Sequence, residues 1–260
     1  MTLDELVAEL RENILFDRSD RTDGDSDLLW STETLVRYIN EAYQRFARLS
    51  LVLRDNTTAA VTQVTLVTGQ TEYPLHRAVL AVASARLTGD VGDLARAGHS
   101  VLNAYRGPDP TYWDPAQLSQ LPPGKPLVFT MDETMAADAT TPDTPIEAPV
   151  LRVYPTPSAT YNGQIIQLRV VRMPLTALTL GEDMATQTPE LPVAHHLEML
   201  DWAAYLALRV VDRDAGYRER ALEFRASFEQ HVKQARTEML RKMHTPQPWG
   251  FGRHGFTWER

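Results

Sequence analysis

Residues 191–243 constrain this chain more than any other stretch. They read as two long helices in succession, separated only by Asp212-Arg213-Asp214-Ala215-Gly216. In the first, Val193, Leu197, Leu200, Ala204, Ala207 and Val211 recur at spacings of three and four and so share one stripe. In the second, Ala221, Phe224, Phe228, Val232, Ala235, Met239 and Met243 do the same. Stripes of this length have to be buried against each other and against more helix. Only the far N-terminus offers suitable partners. The helical part is therefore predicted to be built from the two ends of the chain, with something else inserted between.

The N-terminal residues supply those helices. Thr2-Leu3-Asp4-Glu5 is a capping box, and Leu3, Leu6, Leu10 and Ile14 form an apolar stripe, which predicts a helix over 3–15. The acidic stretch 17–27 fails as a calcium loop. With Gly24 at the glycine position, Trp30 falls where a bidentate Glu belongs. Ser31 is a good N-cap for a second helix, with Trp30 stapled onto Leu35 and a stripe of Leu35, Ile39, Ala42, Phe46 and Leu49 running to about residue 53. From about residue 60 to 180 the helical period disappears. Short runs rich in Val, Thr, Ile and Tyr are punctuated by Pro and Gly, predicting strands at 64–67, 73–75, Val79–Leu87, 127–129, 151–154 and Ile165–Arg172. Asn162-Gly163 is the strongest short hairpin signal, placed between the last two. Ile166, Leu168 and Val170 alternate with Gln167 and Arg169, as in a half-buried antiparallel sheet. Pro189 and Pro192 mark the return to helix. The expected fold class is α+β: a discontinuous antiparallel helical bundle from 1–58 and 188–243, an inserted small antiparallel β-sandwich or barrel over 60–182, and an extended C-terminal tail over 244–260.

Composition and motifs narrow the function by exclusion. The chain has no cysteine, so disulfides and thiolate metal sites are ruled out. It carries no apolar run of about 20 residues and no signal-peptide pattern, which implies no membrane partner and synthesis in the cytoplasm. Residues 1–192 hold 15 Lys+Arg against 25 Asp+Glu, whereas 193–260 hold 11 against 9. An acidic body disfavours a protein whose main task is gripping DNA. A DNA-binding regulator built on the 193–243 helix pair is disfavoured further because those helices are too long for a helix-turn-helix. Gly124-Lys125 is followed by Pro126 and lacks the upstream glycine of a phosphate loop; His195-His196-Leu197-Glu198 lacks zinc-helix spacing. There is no nucleophile elbow, and pairs such as Asp132-Glu133 and Glu182-Asp183 read as solvated charge. Tyr105, Tyr112 and Trp113, set among prolines, read as a loop rather than a ligand cage. Neither enzyme chemistry nor a cofactor is expected.

The order of elements, however, resembles a known family. A capped helix pair ending in LVRYINEAYQRFARLS leads into a β insertion opening VTLVTGQTEYPL. The strand LRVYPTPS, the segment PELPVAHHLEMLDWAAYLAL and a final long helix follow. This is similar to the head-to-tail adaptors of tailed bacteriophages, the gatekeeper or tail tubular protein A class. The resemblance implies a structural virion protein of the neck. It would be a homo-oligomeric ring, a dodecamer, that docks on the portal protein, extends the channel for genomic double-stranded DNA without binding it specifically, and seats the next tail or nozzle component. Another neck or tail-completion protein is the alternative. Basic charge on the last helix (Arg218, Arg220, Arg225, Lys233, Arg236, Arg241, Lys242) would suit contacts between subunits. In the tail, so many aromatics are costly to leave exposed, so it either packs back on its own domain or docks on a partner. For docking, Trp249, Phe251, Phe256 and Trp258, with Arg241, Lys242 and Arg253 nearby, are the candidate partner-binding residues.

Overall fold

The structure, a computed structural model, describes residues 1–17, 28–96, 122–132, 148–210 and 215–243. It contains helices and two open four-stranded sheets; among the described residues neither sheet closes into a barrel. The chain divides into two compact units, one from Met1–Val52 with Thr176–Arg260 and the other from Leu53–Leu175.

In the first unit, α1 (Leu3–Ala8) opens on the Thr2/Glu5 capping box and continues as a π-helical turn over Glu9–Ile14. The wider turn, closed by the Leu15 N–H on the Leu10 carbonyl at 2.9 Å, shifts the apolar register by one. Leu3, Leu6 and Leu10 are buried as their spacing predicts, but Leu15 rather than Ile14 completes the stripe. The Asp17 carboxylate then accepts from the Leu29 and Trp30 N–H groups, and Arg11 donates to the Trp30 carbonyl and the Thr32 hydroxyl. These bonds hold the start of α2 (Thr32–Ser50), whose N-cap Ser31 accepts from the Thr34 N–H. Leu35, Ile39, Ala42 and Phe46 are buried; Leu49 is not. In its place Ser50 is buried with its hydroxyl on the Phe46 carbonyl, and Leu51 ends the helix in the left-handed region.

The return to helix is tied to α2. The Asn40 amide exchanges bonds with both backbone groups of Leu178, and the Tyr43 hydroxyl accepts from the Glu190 N–H at 2.7 Å. Then come α4 (His196–Val210) and α5 (Ala215–Met243). α4 is buried almost all round through Met199, Leu200, Trp202, Ala203, Ala204, Leu206, Ala207 and Leu208. Val193 and Leu197, placed on the buried stripe by their spacing, are instead 72% and 51% exposed. They lie in and just after the turn that precedes α4, on the side turned to solvent. Phe228 of α5 sits edge-on to Phe46 of α2 at 5.9 Å and against Trp202 of α4 at 5.2 Å. Burying such a ring contributes about 1.5–3 kcal/mol, with aromatic geometry adding to it. The Arg45 guanidinium lies 3.9 Å from the centre of the Trp202 ring, whose indole N–H reaches Glu41.

In the second unit, one sheet is centred on β8 (Ile165–Arg172). β4 (Val79–Leu87) pairs along one edge of β8, while β1 (Arg54–Asp55) and β2 (Gln63–Thr65) pair in tandem along the other, joined by the short helix α3 (Ala59–Thr62). The other sheet has the order β3 (Glu72–Pro74), β7 (Val150–Tyr154), β6 (Val128–Asp132), β5 (Ala95–Arg96), with β5 parallel to β6. One apolar cluster draws on both, including Val82, Ile166 and Leu168 from the first and Phe129, Leu151 and Val153 from the second. Ile166, Leu168 and Val170 are buried while Arg169 is exposed, as the alternation requires.

The hairpin expected at Asn162-Gly163 does not form, since β7 and β8 belong to different sheets. Asn162 has φ −61 and ψ 131 and Gly163 φ 77, with the Gln164 N–H on the Tyr161 carbonyl. That is a type II turn, in which only the second central residue needs positive φ, not the I′ turn that joins hairpins. The Asn162 side-chain oxygen Oδ1 accepts from the Thr68 N–H instead, and the Gly163 N–H donates to the Leu66 carbonyl. The turn thus feeds the β2–β8 ladder.

Candidate interaction surface

α5 is 29 residues long, about 43 Å at 1.5 Å per residue. Its buried stripe is narrow: Ala221, Phe228, Val232, Ala235 and Met239. One flank of that stripe turns inward through polar bonds. Arg220 donates to the Ile14 carbonyl at 2.7 Å and lies over the Phe16 and Phe224 rings. The Ser227 hydroxyl donates to Asp201 of α4 at 2.6 Å, and the His231 Nδ1 stands 3.3 Å from the same carboxylate oxygen. Burial raises the Asp201 carboxyl above its ordinary range, while the Ser227 and His231 contacts pull the other way.

The opposite flank is exposed. Arg218, Leu222, Arg225, Glu229, Lys233, Arg236 and Leu240 recur at spacings of three and four, so they form a second continuous stripe. Leu222 is 56% and Leu240 39% exposed. Arg225 pairs with Glu229 at 2.9 Å. Of the sequence-predicted partner-binding residues, Arg241 and Lys242 are exposed in the last turn of α5, whereas Trp249, Phe251, Arg253, Phe256 and Trp258 lie outside the described residues. Reading only the basic residues of this helix misses Leu222 and Leu240; the signal that finds them is the second period.

Among the described residues, the remaining polar groups are engaged in local structural bonds. The Ser227 hydroxyl bonds the Asp201 carboxylate and not His231, which ties α5 to α4. His196 is buried with its Nε2 2.9 Å from the Leu191 carbonyl, and burial holds its pKa below the ordinary value. His195 pairs with Glu198 and packs on Phe46. Lys125 of the excluded phosphate loop is paired with Asp90 beside a shallow hollow of about 250 Å³. In the helical unit, an open cleft of about 630 Å³ runs along α2 past Arg37, Asn40 and Leu180. No group of three or more potential metal ligands occurs among the described residues. No helix among them is long and apolar enough to cross a membrane.

The helical unit thus carries a long helix with one face packed and another exposed. A family model described as SU10 adaptor protein matches residues 1–248. The chain belongs to that family, which is one of phage structural adaptors and not a known class of enzyme. No match was found among curated proteins.

Proposed function

We propose that the chain is the head-to-tail adaptor of a phage particle: a ring of identical copies, twelve in number, that docks on the portal, extends the DNA channel and seats the tail component below. The family match across 1–248 carries this reading. The net charge of −8 supports the further point that DNA passes without being gripped, since like charge repels phosphate. In this reading 1–58 and 188–243 form one antiparallel bundle into which a sandwich, 60–182, is inserted. The bond from the Arg172 N–H to the Leu53 carbonyl supports it, because it brings the chain leading into the β segment beside the chain leading out of it. The tail aromatics Trp249, Phe251, Phe256 and Trp258, with Arg241, Lys242 and Arg253, would anchor the ring on the portal or a neighbour; all four lie beyond the family-matched stretch. The test is to mix the protein with the portal of its own phage and image the product by electron microscopy. Rings capping portals are expected; bare portals under all conditions would exclude the adaptor role.

A further inference from the structure

We propose that the exposed Arg/Leu stripe of α5 docks on the acidic outer face of the N-terminal helix of a second copy of this chain, and that this contact is the repeat unit of the ring. The inference rests on the ring reading above and goes beyond it by naming the two faces.

The stripe has the pattern of an interface still lacking its partner. Six of its residues, Arg218, Leu222, Arg225, Lys233, Arg236 and Leu240, place two exposed leucines among four cations. Arg225 is neutralised within the helix by Glu229. Among the described residues, no acidic partner is recorded for Arg218, Lys233 or Arg236. The two exposed leucines, about five helical turns apart on the same face, add apolar contact area to a charged surface. Their presence also disfavours phosphate as the occupant, since a DNA-tracking face would replace them with further cations or polar groups.

The complementary face lies in the same unit. Asp4, Glu5 and Glu12 are exposed along α1 and its π-helical continuation, with Ala8 exposed among them and Glu9 half-buried beside Asn13. Opposite potentials on two faces of one molecule favour association of copies and fix their register.

Geometry decides the symmetry. The bond from Arg220 to the Ile14 carbonyl locates the N-terminal helix on the Arg220 flank of α5. At 3.6 residues per turn, the Arg/Leu stripe lies roughly 180° round α5 from Arg220. The two faces are therefore on opposite flanks of the helical unit and cannot both be used in one two-fold contact. Such a contact is heterologous, and a heterologous contact that closes makes a ring.

The absence of native cysteine provides a clean test. Full-length Ala8→Cys and Leu222→Cys chains are mixed with a short bismaleimide, with and without portal. A mixed crosslinked dimer is expected, with each variant alone giving none. Adding Arg218→Glu and Arg236→Glu to the Leu222→Cys chain should lower the mixed product roughly tenfold, and Asp4→Lys with Glu12→Lys on the Ala8→Cys chain should restore it. Self-crosslinking as strong as mixed crosslinking, or no mixed product in either condition, overturns the proposal. So does a mixed product unmoved by charge reversal while retention on DNA falls, which would make the stripe a DNA contact. Rings on portals without the mixed crosslink would sink this inference alone; the crosslink without portal-bound rings would sink only the adaptor reading.

Discussion

Asp55 and Arg172 stand 117 positions apart in sequence and 2.8 Å apart in the fold, with side chains 4% and 11% exposed. Burial alone would push the Asp55 carboxyl up. The N–H groups of Thr58 and Thr57 and the Arg172 guanidinium outweigh that and hold it well below the usual carboxylate range. A carboxyl lowered in the folded state adds stability that is present above its unfolded value of about 3.9 and is lost as pH falls below it. Asp55→Ala leaves Arg172 buried without this partner, so urea unfolding at pH 7 should show a loss of about 3–5 kcal/mol. The gap between wild type and Asp55→Asn should narrow as pH drops below about 4. Asp201 has the opposite sign. Its raised carboxyl gives a contribution complete below the unfolded value and lost as pH rises through the folded one. Asp201→Asn should abolish that slope; a pH–stability profile parallel to wild type would show that the Asp201 carboxyl is not raised in the folded protein. Neither site was legible beforehand, because each depends on partners brought together only by the fold.

Among the elements, α5 was the most legible, since Ala221, Phe228, Val232, Ala235 and Met239 are buried as their period demands. Phe228 is the point where α2, α4 and α5 meet, so Phe228→Ala should cost about 3–5 kcal/mol in denaturant unfolding. A loss below about 1 kcal/mol would mean that the three helices do not depend on that ring. Legibility fell where local chemistry bent the period. The π-turn after Ala8 moved burial from Ile14 to Leu15, and Ser50 replaced Leu49 at the end of α2 by bonding back to Phe46. Asn162-Gly163 was correctly read as a turn and wrongly as a hairpin, because the dipeptide serves type II as well as I′ and only pairing between sheets distinguishes them. Gly163 has φ 77 and open space where a Cβ would stand, so Gly163→Ala should lose about 1–2 kcal/mol through backbone strain alone.

For the whole molecule, the change of period near residues 60 and 180 marked the stretch in which most of the strands fall, while nothing local announced how they would be ordered in two sheets. The tail, 244–260, sets the last expectation. Its glycines at 250, 252 and 255 and prolines at 246 and 248 oppose a helix, and Trp249, Phe251, Phe256 and Trp258 can lie in a groove as an extended segment. Ordering such a segment costs conformational entropy, which several buried aromatics on a partner would offset. If the tail serves attachment, truncation after Met243 should change the melting temperature of the free chain by no more than about 2 °C, the shift that a surface change of about 0.5 kcal/mol gives. The same truncation should abolish decoration of portals. If it served the chain's own core instead, removing four aromatics would lower the melting temperature by several times that amount, while portal binding of the surviving folded fraction would persist. Thermal denaturation and portal imaging on the one truncated protein separate the two, and normal portal decoration by the truncated chain would rule out the anchoring role.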